Sequence, residues 1–517
     1  MLLPTLSPYF TNWTSIILAL LVIYVAHFYY KYFTRQNPLP GPIPIPILGT
    51  IHIHGKNPHS WYKKNAEKAG TIWEFYIGFQ RYIIINHVKH IEKIYKPTLT
   101  FFKRPPIPSF EKLGLDKGIF FNNDHNSWHR NRKLIARALS TPKFFSGFVF
   151  SVQKLFKESE ERWNLTIKDG IEFDISLWIK FFATDLAIIQ ITKLPSCSLV
   201  SFDSSNEIVR SEEEKKSLVI ANSIHTFIES LTFFMLTPSF IMNYVPSFTS
   251  FRKKSERNID FINNTIINIV NKRKQELKEG ADLSSDLLDS LLMAHTLQNP
   301  EYNDDSDNMA PITAYEVNAI LWDVLLAGIG STNDAFCFVV YNIAKNPEIL
   351  IKIRKEIDEV FGSDFNDYFT IEKLINCRYT EAVIKESMRY IAPAPFTVKV
   401  LSSEENIAGY NWPSGTSFWI DHQNISNNPD YWNDPKIFNP DRFLNEDNTS
   451  NDFTLFGGGV RICPGKHMAM NWLKILTVKF YSKYNVELVK DENIKYNYNG
   501  ANVVYDLNVR ISLRDIN

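Results

Sequence analysis

The sequence predicts a mostly α-helical protein with a smaller β-rich region, preceded by one membrane-spanning helix. Three observations lead there. The stretch Trp13–Tyr30 carries no charged residue and is densely apolar from Ile16 to Val25. Helical periodicity runs through Asn123–Leu139, Glu316–Ala344 and the segment after Cys463. Two runs of β-formers and aromatics, Thr71–Ile77 and Arg81–Ile85, meet through Gly78 as a hairpin.

The eighteen residues of Trp13–Tyr30 fall within the ~17–25 that span a bilayer. A cleaved signal peptide would want a basic start and a small-residue cleavage site, and neither is visible. Lys31 and Arg35 follow the span while no Lys or Arg precedes it, so the bulk of the chain is expected on the cytosolic side. We read residues 1–37 as an anchor. The remainder, 38–517, begins with a Pro-rich hinge, Pro38 to Pro46, which cannot be helix and favours stiff extended backbone.

Of the 517 residues, 44% are hydrophobic, enough for a large core and too many for a disordered chain. Lys+Arg and Asp+Glu balance at 56 each, which argues against a nucleic acid as the main partner. The four cysteines, Cys197, Cys337, Cys377 and Cys463, have no paired spacing, as expected in a reducing compartment.

One of those cysteines stands apart. Phe456-Gly-Gly-Gly-Val-Arg461-Ile-Cys463-Pro-Gly465-Lys places a lone cysteine among glycines, ahead of a helical pattern. A thiolate in this setting is a strong donor to haem iron, and the N–H groups at the start of a helix help to keep it charged. Pro464 is expected at the first helical position, and the glycines let backbone approach a flat macrocycle. The commoner fate of a lone cysteine is plain burial in a turn. Phe456, Gly459, Arg461, Cys463 and Gly465 together leave that reading little room.

This stretch resembles the cysteine loop of the cytochrome P450 family, and the resemblance extends over nearly everything from Pro38 onward. It implies one large, mainly α domain with a smaller β-rich region, haem b (iron protoporphyrin IX) clamped inside, and Cys463 as the iron ligand. Trp128 and Arg132, four apart on one helical face, resemble the family's propionate donors, joined by Lys399 and Arg461. Lys399 stands where the family often has an arginine or histidine, and acts as a point charge without the bidentate fork. Leu326–Thr332 resembles the oxygen-binding motif and is expected to interrupt its helix. Ala327 and Gly328 match, and Ser331 and Thr332 are the hydroxyls for dioxygen. Gly330 stands where the family has an acid. Glu386 and Arg389 resemble the buried pair that an arginine of a later loop, here Arg442, completes.

The implied activity is insertion of one oxygen atom of O2 into an apolar small molecule. Electrons would come from NADPH–cytochrome P450 reductase, with cytochrome b5 as an optional second donor, at the endoplasmic reticulum membrane. Arg130, Lys133, Arg137, Lys466 and Lys474 suggest a basic docking face for an acidic reductase. Two other readings stand beside this one: a haem-thiolate isomerase or dehydratase acting on a peroxide, and a haem-binding sensor. Phe233–Phe248 reads equally as core or as a flap that dips into lipid. The Ser-rich stretch Ser196–Ser205 and the acidic run Glu301–Asp307 read as loops.

Overall fold

Thr313 opens the element around which the others pack. Its hydroxyl accepts from the Glu316 N–H at 3.2 Å, and the Glu316 carboxylate accepts the Thr313 N–H at 2.8 Å. This capping box starts a helix running from Ala314 to Lys345. In the computed structural model the described residues are 8–50, 58–164, 170–192, 199, 212–282, 287–295, 312–362, 369–444, 454–498 and 500–514. Glu301–Asp307 lies outside them, as does Ser196–Ser205 apart from Leu199.

The Ala314–Lys345 helix is buried along most of its length and packs against the helices Ile175–Thr192, Arg378–Tyr390 and Lys466–Lys483. The interruption expected at Leu326–Thr332 does not occur, and the helix is continuous there. Ser331 bonds back to the Ala327 carbonyl at 3.3 Å without opening the turn. Buried Leu325, Ile329 and Phe336 hold the helix on either side.

The β-rich region is a four-stranded sheet in the order Ile72–Ile77, Gln80–Ile85, Ser417–Asp421, Phe396–Val400. The hairpin turns through Gly78 at φ +58°, which a glycine adopts freely. Gln80–Ile85 pairs in parallel with Ser417–Asp421, which pairs antiparallel with Phe396–Val400. A bridge from Lys103 to Val400 lays the 101–104 segment beside the last strand. A three-stranded sheet and two short hairpins complete the β structure among the described residues.

Among the described residues three helices are long and apolar enough to cross a membrane, but Glu214–Leu236 and Ala314–Lys345 pack into the domain. Trp13–Phe33 has none of its apolar window buried. Its foot is tied down. Tyr32 is buried and meets the Tyr76 ring edge-on at 5.8 Å, and the Arg35 guanidinium lies 4.0 Å over Tyr32. Arg35 Nε donates to Glu74 Oε1 at 2.6 Å and Arg81 Nε to Glu74 Oε2 at 2.8 Å. Arg81 also donates to the carbonyls of Gln36 and Asn37, at 2.8 and 2.6 Å. At Gly41 a Cβ would fall 2.1 Å from the Glu74 carbonyl oxygen, so only glycine lets the hinge pass.

Phe233–Phe248 divides between core and surface. Phe234 and Met242 are buried, whereas Tyr244 is 82% exposed and Phe240, Val245 and Phe248 also face outward. Gly78 sits against Pro238 and the Ile47 carbonyl, and brings this segment to the hairpin turn and the hinge. Ile43, Ile45, Ile47, Leu48 and Phe79 are exposed too, Ile47 and Phe79 close to that contact in the chain.

Candidate haem-thiolate site

The loop that carries Cys463 is folded by its glycines. Gly457 and Gly459 take φ of +71° and +65°, and the Cys463 N–H closes the loop onto the Phe456 carbonyl at 2.9 Å. The following helix starts at Lys466 with Gly465 as its N-cap, so Pro464 lies in the preceding turn and not at the first helical position. The reason is local: Pro464 and Gly465 complete a turn that aims the N–H groups of Gly465 and Lys466 at the sulfur. Burial pushes the Cys463 thiol up; those two N–H groups, Arg132 and Lys466 pull it down without winning. A coordinating metal is the group that would deprotonate it outright.

Above the loop, cations converge. Arg461 stacks 4.1 Å from the Phe102 ring and 4.6 Å from that of Trp128, donating to the carbonyls of Phe102, Ile119 and Asn122. Arg132 reaches the Ile462 carbonyl and lies 5.6 Å over Trp128. Lys399 is buried, its ammonium 3.4 Å from the Gly458 carbonyl. The fourth member, Arg104, donates to the Val398 carbonyl at 2.7 Å, while its Nε is buried with no partner. Among the described residues none of these four forms an ion pair. Burial together with Arg104, Arg461 and Arg132 pushes Lys399 down to about 6, and burial likewise lowers Arg461.

The Trp128 indole N–H, expected to face an anion, donates instead to the Ile119 carbonyl at 3.1 Å. Trp128 thereby holds the Ile119 loop, to whose carbonyl Arg461 also donates, and its ring supports two of the four guanidinium and ammonium groups.

The Ala314–Lys345 helix presents Ala327 exposed and Ser331 half-buried. A Cβ added to Gly328 or Gly330 would meet nothing within 4 Å. Thr332, only 7% exposed, is turned into the packing, so Ser331 alone of the two expected hydroxyls reaches the open face. One step further, Asn333 Oδ1 is buried without a partner, and Asp334 accepts the Val504 N–H at 2.9 Å. Burial pushes Asp334 up to about 8, so it holds a proton at neutral pH.

The family description Cytochrome P450 matches residues 39–509. The chain belongs to the cytochrome P450 family. Among curated relatives of this P450, tabersonine 16-hydroxylase 2 of Catharanthus roseus is 26% identical over 87% of this chain and 86% of its own length. Cytochrome P450 1A1 of Sparus aurata is 25% identical over 93% of both. The solved cytochrome P450DA heme domain superposes with a TM-score of 0.75 at 16% identity, covering 93% of this chain and 98% of its own. A retinoic acid-bound cyanobacterial CYP120A1 gives the same score at 19% identity, covering 93% of this chain and all of its own. The family is an oxidoreductase class of monooxygenases, and its fold implies haem with thiolate ligation.

The residues of this P450 fit that cofactor. Four basic side chains, Lys399 and Arg461 buried and Arg104 and Arg132 half-buried, converge with only Asp323 acting on Arg461 as an opposing charge, which suits an anionic group. A Cβ at Gly328, Gly330, Gly457 or Gly465 would meet nothing within 4 Å, which suits a flat ring. Sequence reasoning missed Arg104. The basic pair Lys103-Arg104 before Pro105 was its only signal, and nothing periodic pointed inward. Of the five residues expected to form a docking face, two are engaged elsewhere. Arg130 pairs with Glu316, and Lys474 is buried against Glu381 and the Leu374 carbonyl.

A pH dependence follows from Lys399. Its pKa, about 6 beside three guanidiniums, lies far below the ordinary ~10.4, and an anion set among them raises it again. Anion binding therefore takes up a proton: it tightens as pH falls toward the lower value and weakens as pH rises. The expected slope is up to ~10-fold in haem affinity per pH unit for one exchanged proton. Haem transfer to an acceptor protein, followed between about pH 6.5 and 9, should show this slope in the wild type and a flatter one in Lys399→Arg.

Proposed function

We propose that this P450 is a membrane-anchored haem-thiolate monooxygenase of apolar small molecules. The observation that carries the reading is the pairing of an intact cysteine loop with a cluster of four basic side chains that form no ion pair among the described residues, together with the open glycine positions 328 and 330. Cys463 would ligate the iron of haem b, and Arg104, Arg132, Lys399 and Arg461 would hold its propionates; the bound cofactor would supply O2 activation, with a thiolate favouring O–O cleavage. Trp128 steadies two of those cations. Ser331 holds a hydroxyl proton on the open face. Residues 1–37 form the anchor and 38–517 the catalytic domain. The exposed apolar face around Phe79 and Tyr244 suits a lipid surface beside it, with the domain on the cytosolic side of the endoplasmic reticulum.

Electrons come from an NADPH-dependent reductase, with cytochrome b5 as a second donor. Lys133, Arg137 and Lys466 are the other basic residues of the face on which an acidic reductase would dock. Consumption of NADPH with reductase present separates this reading from a peroxide isomerase and from a sensor. Turnover of an organic peroxide without reductase would favour the isomerase.

Gly330 gives this reading a sharp expectation. General acid help is worth ~10²–10⁴-fold in rate, and no carboxylate stands at that position. Wild-type enzyme should lose much of its NADPH as hydrogen peroxide. A side chain at Gly330 has room, so Gly330→Asp should raise product formed per NADPH, and Ser331→Ala should lower it. Tight coupling in the wild type, unchanged in Ser331→Ala, Asn333→Ala and Asp334→Asn, would count against the whole account of the missing acid.

A further inference from the structure

The cysteine loop is seated on Tyr95 and the backbone beside it. Gly458 is extended at φ −163°, a conformation open to any residue, so its backbone does not demand glycine. Contact does. A Cβ there would lie 2.4 Å from Cγ and 2.5 Å from Cδ2 of Tyr95. At Gly459 the added atom would fall 2.9 Å from the Lys96 carbonyl oxygen and 3.3 Å from that of Tyr95. The loop thus lies flat on the Tyr95 ring and the backbone beside it.

That ring is itself fixed. Tyr95 caps the helix Val88–Ile94, its N–H donating to the Ile91 carbonyl at 2.8 Å. Its phenol bonds to Thr397 and lies 3.5 Å from His422 Nε2, which Thr397 Oγ1 contacts at 2.9 Å. Lys399, two residues along the same strand face, places its ammonium 5.7 Å from the ring centroid while reaching Gly458. The ring is held between a sheet strand and the loop. Because Cys463 closes the loop onto Phe456, a displacement at Gly458 carries through to the sulfur.

We propose that Tyr95 is a positioning residue for the thiolate: its ring is the seat that sets where Gly458 and Gly459 lie and hence where the Cys463 sulfur comes to rest. This rests on Cys463 being the iron ligand.

The test uses full-length protein, scored for haem content, reduction potential and the share of reduced carbon monoxide complex showing the red-shifted thiolate band. Gly458→Ala drives a methyl into the ring and should cut that share at least ~5-fold, as overpacking does. Tyr95→Ala should cut it as well, and Tyr95→Phe should keep it, since the ring remains. Combining Tyr95→Ala with Gly458→Ala should recover most of the band, because the methyl takes up part of the vacated space. A tyrosine that merely stabilised the fold would change haem content and melting together and leave the band share of the haem-bearing protein untouched. Should Tyr95→Ala not fold, Tyr95→Leu serves in both positions. A wild-type spectrum and potential in Tyr95→Ala (or in Tyr95→Leu where that replaces it), or a double variant no better than Gly458→Ala, overturns the proposal. A wild type that lacks the thiolate band, with Cys463→Ser indistinguishable from it, overturns the ligand reading and this proposal with it.

Discussion

Cys463→Ser should keep its fold, retain part of its haem and lose the red-shifted Soret band of its reduced carbon monoxide complex altogether. The loop closes through the Cys463 N–H, not its side chain, so serine leaves the backbone bonds standing. The cations that would hold the propionates are unaffected. What disappears is thiolate donation to iron, and with it O–O cleavage, so monooxygenase turnover should fall to background. A variant that kept the thiolate-type band would sink the assignment, as would a wild type that holds haem but shows only an imidazole-type spectrum.

Glu386→Ala is expected to have the largest effect on stability. Glu386 is fully buried and accepts from Arg389 Nε at 2.6 Å and Nη2 at 2.8 Å. It also accepts from Arg442 Nε at 3.2 Å and the Asn439 N–H at 2.8 Å. Arg389 goes on to the carbonyls of Ser426 and Pro435, at 2.8 and 3.0 Å. Removing the carboxylate leaves a wholly buried guanidinium without its partner, which costs about 3–5 kcal/mol. Denaturant unfolding should show that loss, and Glu386→Gln should recover only part of it, since the amide keeps the shape and not the charge. An unchanged midpoint in Glu386→Ala would show that the triad is not what ties this helix to the 438–443 loop.

The sequence made the cysteine loop legible because its parts act locally: Gly457 and Gly459 bend the chain within a few residues of Cys463. The Glu386–Arg389 pair was legible for the same reason, being one helical turn. Arg104 was not. Its position depends on the bridge from Lys103 to Val400, between segments far apart in the chain, and no pattern in either announces it. Ser331 and Thr332 could not be ranked without knowing how the helix is rotated against its neighbours. Arg130 and Lys474 looked like surface charge because their acidic partners, Glu316 and Glu381, lie far off in sequence. Trp128 kept its expected place but changed its partner, since the Ile119 carbonyl comes from a loop whose path the sequence does not specify.

Glu74, 1% exposed between Arg35 and Arg81, makes the hinge a weld. With Gly41 pressed against its carbonyl and Tyr32 buried beside Tyr76, the N-terminal apolar helix, which fits a membrane anchor, has no free swivel before the rest of the chain begins. A helix in a bilayer tilts to match the thickness it finds. Here each degree of that tilt would be handed on to the whole domain, lifting or lowering the apolar face around Phe79 and Tyr244 against the lipid. Membrane thickness would in this way become a lever on how deeply the entrance side of the protein is immersed.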